Sequence, residues 1–155
     1  MACAALVWCA LLAAGCGTGV EGGAVELSWR LRPAPGPIGN NPCDPFVCCD
    51  PMQTGANAIE RIQLDWVVDG VGSSASWRCD DGNGVTGFEL PPGEALLTVS
   101  PVCVGHAADP ATYTAPAAEQ RTVKIGDTVS LGAVELLLRV SSCSAAQPCI
   151  CASQP

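Results

Sequence analysis

One lysine (Lys124), one histidine (His106), one tyrosine and two phenylalanines are all that this 155-residue chain holds of those four types. Seven basic residues stand against fifteen acidic ones, a formal charge of −8. Nucleic-acid phosphates are neutralised by clustered Lys and Arg, so this balance argues against nucleic acid as a partner. It equally disfavours electrostatic docking on anionic lipid. With His106 the sole imidazole, a Ser–His hydrolase has a single candidate base. No Gly-x-Ser-x-Gly elbow accompanies it, since Gly72-Ser73-Ser74 lacks the second glycine. No apolar run reaches the roughly 20 residues that cross a bilayer as a helix. No glycine cluster precedes a helical pattern, so no phosphate cradle is expected. C-x-x-C pairs are absent, which leaves Cys48-Cys49 and Cys149-Ile150-Cys151 as the thiols nearest to a zinc-ligand spacing. The expectation is a protein that is not an enzyme and holds no metal or other cofactor.

What is plentiful is cysteine, glycine, proline and small apolar side chains. Residues 2–14 are almost wholly apolar, about the length of a signal-peptide core. They run into Leu11-Leu12-Ala13-Ala14-Gly15-Cys16. This segment resembles the lipobox of bacterial lipoproteins. It departs from that pattern at Ala13, where leucine is commonest, and in having no Lys or Arg near the start. The resemblance implies a diacylglycerol on the Cys16 thiol, cleavage before Cys16, a palmitate-type chain on the amino group so freed, and a mature protein tethered to a membrane outside the cytoplasm. Because Gly17 rather than aspartate follows, the resemblance favours the outer membrane, on its periplasmic or surface face. Each acyl chain contributes about 0.8 kcal/mol per buried methylene, and two chains hold stably. No amphipathic protein surface is needed as well.

Setting aside Cys3, Cys9 and Cys16, eight of the eleven cysteines remain: Cys43, Cys48, Cys49, Cys79, Cys103, Cys143, Cys149 and Cys151. An even number in an oxidising compartment implies a disulfide framework, which is favoured over a zinc site. Adjacent Cys48 and Cys49 should reach separate partners, because the ring closed by neighbours is strained. Two bridges are expected: Cys79 to Cys103, both inward-facing on nearby strands, and the Cys43–Cys49 cluster to the tail.

The rest of the pattern is that of strands. Val25, Leu27, Trp29 and Leu31 alternate with Glu26, Ser28, Arg30 and Arg32. The same period of two runs through Ile62, Leu64, Trp66 and Val68, then Ala75, Trp77 and Cys79, then Phe88 and Leu90. It continues through Leu97 and Val99, Val123 and Ile125, Val129 and Leu131, and Val134 to Val140. An out-of-phase step at Gly132-Ala133 predicts a bulge or a break. Asp69-Gly70, Asp81-Gly82-Asn83-Gly84, Pro91-Pro92-Gly93 and Gly126-Asp127 read as turns. Asp80-Asp81-Gly82-Asn83-Gly84 is clustered oxygen of the kind calcium takes, but it lacks alternate acidic spacing and a distant glutamate. A plain turn is the better account.

Seven or eight short strands and no helical period predict an all-β, disulfide-stapled β-sandwich. The organisation expected is a signal peptide at 1–15 and a glycine-rich lipidated tether at 16–22. The sandwich follows at 23–141, with a Cys- and Pro-rich loop inserted at 33–58, and a Cys-rich tail closes the chain at 142–155.

From Asp80 onward the chain resembles the transthyretin-like, carboxypeptidase-regulatory type of sandwich. The residues that carry the resemblance are the Asp80–Gly84 turn, Gly87-Phe88-Glu89-Leu90-Pro91-Pro92-Gly93 and Leu97-Thr98-Val99. They end with Val123-Lys124-Ile125-Gly126-Asp127 and Leu131-Gly132-Ala133-Val134-Glu135-Leu136. The aromatic usual two residues after that Pro-Pro-Gly is Ala95 here, and no early lysine offers an internal isopeptide bond. The resemblance implies an accessory, structural or adhesive module. In overall composition the chain also resembles small lipoproteins of high-GC Gram-negative bacteria such as myxobacteria.

The leading functional expectation is a membrane-anchored, non-catalytic envelope module that contacts protein or glycan. Phe46 and Val47, flanked by Cys43 and Cys48-Cys49, are its candidate binding loop. A disulfide-clamped protease inhibitor presenting Pro45-Phe46-Val47 is the alternative, and a secreted hydrolase using His106 comes third.

Overall fold

Alternation in the sequence becomes alternation in burial. In this computed structural model, residues 20–34 and 59–138 are described. Among them nine strands form two sheets: β1 (Ala24–Pro33), β2 (Ile59–Val68), β3 (Val71–Arg78), β4 (Asn83–Val85), β5 (Gly93–Cys103), β6 (His106–Ala107), β7 (Tyr113–Thr114), β8 (Glu119–Val123) and β9 (Thr128–Leu138). Single 3-10 turns at Cys79–Asp81 and Pro110–Thr112 are the only helical elements among the described residues. One sheet has the order β4-β1-β9-β7, the other β3-β2-β5, with β6 and β8 both on the far side of β5. All pairings are antiparallel except β1 with β9, which run parallel.

The inward positions close on one core. Val25, Leu27 and Trp29 of β1 and Val134, Leu136 and Leu138 of β9 come from one sheet. Ile62, Leu64, Trp66, Val68, Leu97 and Val99 face them from the other. The chain is therefore all-β and two-layered, as the alternation predicts. The out-of-phase step is a bulge, not a break. β9 runs unbroken while its register against β1 shifts between Glu26 and Ser28, with Gly132 at φ 65°.

Three expectations need correction. Phe88 lies in a turn and is 46% exposed, while Leu90 two residues on is fully buried. Ile125 is likewise exposed, in the turn that follows β8. Gly22, expected from the sequence to precede the sandwich, is already part of it together with Gly23. Gly23 exchanges backbone hydrogen bonds with Leu90 (2.9 and 3.1 Å), and the Gly126 amide donates to the Gly22 carbonyl at 2.9 Å. A Cβ on Gly23 would stand 2.5 Å from Val123 Cγ1 and 2.7 Å from the Lys124 carbonyl. That glycine is there for close approach.

Antiparallel partners alternate between pairs that exchange backbone hydrogen bonds and pairs that do not. The two-residue connection Asp69-Gly70, with both φ positive (49° and 81°), makes Val68–Val71 an exchanging pair. Counting from there, Ser73, Ala75 and Trp77 turn their amides toward β2, and Gly72, Ser74 and Ser76 turn theirs to the free edge. The same count places the Pro101 nitrogen on the side of β5 away from β2. There, among the described residues, no strand pairs with β5 between its pairings with β8, which end at Leu97, and with β6, which begin at Val102. A proline inside a long strand is tolerated at such a site because no donor is required.

Among the described residues one buried polar side chain fastens the segment after β4 to β1. Thr86 is 7% exposed. Its amide donates to the Val25 carbonyl at 2.9 Å, its Oγ1 accepts from the Val25 amide at 2.9 Å, and its hydroxyl donates to the Gly87 carbonyl at 2.8 Å. Thr86→Val keeps the shape and leaves the buried Val25 amide without an acceptor. A loss of about 1–3 kcal/mol is expected, to be read from the urea midpoint at unchanged m-value.

Candidate functional site

The parallel pairing of β1 and β9 decides where the chain's unusual segments attach. Both strands end at the same pole, with Pro33 beside Leu138 and the Ala34 amide on the Leu138 carbonyl at 2.8 Å. β2 starts at that pole, with Ile59 opposite Cys103, and β3 ends there, with Arg78 opposite Arg61. Ala34 and Ile59 flank the inserted segment and Leu138 precedes the tail, so both cysteine-rich segments join the sandwich at one end. Gly22, at the start of the sandwich, is at the other, beside Leu90 and Gly126. A ten-residue strand such as β1 rises roughly 3.3 Å per residue, which separates the poles by about 30 Å.

Cys79 and Cys103 sit at the cysteine pole, 4% and 1% exposed. Neither carries a free, titrating thiol. Their expected placement on nearby strands holds only loosely. Cys103 ends β5, whereas Cys79 lies past the end of β3, as the first residue of the 3-10 turn. Cys16, Cys43, Phe46, Val47, Cys48, Cys49, Cys143, Cys149 and Cys151 lie outside the described residues. The backbone of His106 pairs with Cys103 across a two-residue hairpin at this pole.

Beside Cys79 the acidic turn is held by Arg78. Its Nε and Nη2 donate to Asp80 Oδ1 and Oδ2 at 2.9 and 2.8 Å. That hydrogen bonding draws the Asp80 carboxyl below the usual range and raises Arg78. Asn83 Nδ2 donates to the Asp81 carbonyl at 3.1 Å, closing the turn, and Gly82 supplies its φ of 70°. Among the described residues no group of three or more His, Cys, Asp or Glu is placed to hold a metal ion. At the same pole Tyr113, packed against the core, has its phenol pushed up by burial and then by the Asp65 carboxylate.

A shallow, solvent-open groove of about 360 Å³ crosses β4, β1 and β9 near the bulge, lined by Glu26, Ser28, Val85, Ser130 and Gly132 among others. Its lining offers one carboxylate, the Asn83 carboxamide and two hydroxyls, and no aromatic platform. Reading the sequence missed this groove because it arises from the β9 bulge and the three-residue edge strand β4, neither of which has an apolar signature. Thr86 was missed for a related reason: a threonine two residues after a Gly-rich turn carries no mark of burial.

Exposed apolar side chains are unevenly spread. Val20, Val67, Val71, Val85, Phe88, Leu96 and Ile125 all lie in the half of the sandwich nearer Gly22. Of the large exposed apolar residues described, only Val104 is at the cysteine pole. No described helix is long and apolar enough to cross a membrane. Comparison of the chain with protein-family models, curated proteins and solved structures finds no match.

Proposed function

We propose that this chain is an exported lipoprotein, anchored at Cys16, whose sandwich is a non-catalytic scaffold for contacting envelope protein or glycan. The observation that carries the reading is the opposition of the two poles. Residues 16–22, even fully extended, span at most about 25 Å. The Gly22 pole therefore stays close to the membrane, and the cysteine pole stands about 30 Å further out. The crowding of exposed apolar side chains into the membrane-side half supports the same orientation. In this reading the outer membrane is the site of anchoring and the fold is of the transthyretin-like type. The Asp80–Gly84 and Pro91-Pro92-Gly93 segments, which carry that resemblance, each lie at a connection between strands.

Cystines complete the scaffold. Cys79 and Cys103 are buried, are not free thiols, and flank β2 from opposite sides. Their partners are therefore assigned to the two cysteine-rich segments rather than to each other. Such links fasten the 33–58 loop and the tail to the far pole and hold Phe46 and Val47 outward, each bridge contributing about 2–4 kcal/mol.

Intact-mass measurement and non-reducing peptide mapping of the native protein test the anchor and the cystines together. The expected product begins at an acylated Cys16 and links Cys79 and Cys103 to peptides from 35–58 or 139–155. Cys16→Ala should then leave the membrane fraction. Phe46→Asp with Val47→Asp should stay there and lose whatever surface cross-linking of intact cells captures with the wild type. A lipid-free, unprocessed chain with free thiols overturns the proposal.

A further inference from the structure

Among the described residues β3 is the end strand of its sheet, and it pairs with β2 along all eight of its residues without a bulge. The other described edges are short, charged or bulged: the flank of β9 that β7 leaves open, from Thr128 to Leu136, carries the Gly132 bulge and Glu135. β4 has three residues, β6 and β7 have two each, and β8 carries the ion pair of Glu119 and Arg121. Natural sheets blunt their edges with charge, proline, bulges or shortness, and a long edge lacking these is a template for another strand. From Val71 to Trp77 no residue is charged, in a chain of net −8. The one device present is Arg61, whose Nη2 donates to the Ser76 carbonyl at 2.7 Å. That oxygen keeps a second lone pair.

We propose that this edge pairs antiparallel with the same edge of a second copy, about a two-fold axis at Ser74. In that register Ser74 faces Ser74, Gly72 faces Ser76, Ser73 faces Ala75 and Val71 faces Trp77. Gly72, Ser74 and Ser76 are the residues whose amides point outward, as an exchanging pair on the axis requires. Val71, 66% exposed, gains a half-buried indole, and β-branched residues opposite aromatics are favourable cross-strand pairs. Arg78 falls opposite Gly70 and beside Asp69 of the other copy, and the symmetry repeats that opposite-charge contact. This self-complementarity selects a second copy over an unrelated extended peptide. Resting on the anchored reading, a consequence follows: antiparallel edges send the two tethers in opposite directions, so the pair joins two facing membranes.

The test uses the full chain, cystines intact, in detergent and then in phosphatidylcholine vesicles. Native mass measurement is expected to find a dimer. Ser74→Lys and Ser74→Glu each place like charges on the axis and should raise the dissociation constant on the order of 100-fold. Mixing the two variants should restore a mixed dimer, which also shows that both are folded. Vesicles bearing the wild type should cluster, and those bearing Ser74→Lys should cluster only with those bearing Ser74→Glu. A wild type that stays monomeric, even one that captures some other protein, overturns the pairing, as does a dimer indifferent to charge at 74. A Ser74-dependent dimer whose vesicles stay dispersed overturns the facing-membrane arrangement. A chain without acyl groups fails the anchored reading by mass alone, while the dimer measurement still decides the pairing.

Discussion

Trp29→Ala should lower the unfolding free energy by about 3–5 kcal/mol, a large share of the roughly 5–15 kcal/mol typical of a domain. Trp29 is 5% exposed at the centre of β1, and truncation opens a cavity between the sheets. The indole also has two specific jobs. Its Nε1 donates to the Cys79 carbonyl at 2.9 Å, tying β1 to the turn after β3. Its ring lies 6.2 Å from that of Trp77 at 30°, within the range where aromatic pairs add about 0.5–1.5 kcal/mol. Trp29→Phe separates these contributions. It keeps most of the apolar volume and strands the carbonyl, so a loss of about 1–3 kcal/mol is expected. Denaturant midpoints of the two variants, at matched m-values, check the ordering.

Gly84→Ala is the second large effect, expected at about 3 kcal/mol, the upper range for overpacking. Trp77 lies flat on Gly84, its Nε1 donating to the Val85 carbonyl at 3.3 Å. A Cβ at position 84 would overlap the indole carbons Cδ2 and Cε2. The ring cannot retreat freely, because Trp29 is behind it and β4 has only three residues with which to move. Trp77→Ala should therefore remove most of the penalty of Gly84→Ala. Strong non-additivity between these neighbours is the diagnostic. If the double variant is as destabilised as the sum of the singles, the Trp77–Gly84 contact is not the cause.

These positions show what can and cannot be read from the sequence. Trp29, Trp66 and Trp77 are recognisably inward because each falls on the apolar phase of an alternating strand. The bulge at Gly132 is visible because the phase slips there. The two-layer all-β architecture follows from that periodicity together with the turns. Phe88 misleads because it precedes Leu90 by two, mimicking alternation, although the backbone there turns and only Leu90 points in. β8 is poorly marked because Glu119, Gln120, Arg121 and Thr122 sit on an edge, leaving Val123 as its only buried residue. The Trp77–Gly84 contact cannot be anticipated at all, since a glycine in an Asp-Gly-Asn-Gly run looks like a turn residue. Of the candidate site, the sequence marks the cysteines and the Phe46-Val47 segment. That both cysteine-rich segments join the sandwich at the pole opposite Gly22 depends on the parallel run of β1 and β9, which no local pattern encodes.

That same parallel pair sets a timetable. Ala24 lies beside Thr128 and Pro33 beside Leu138, so the first of the described strands to be synthesised must wait for the last. Closing so long an intervening chain carries a large entropic cost before any contact rewards it, which slows folding. Until Leu138 arrives, β1 exposes a bare flank, and a chain stalled or truncated before Thr128 has no way to cover it.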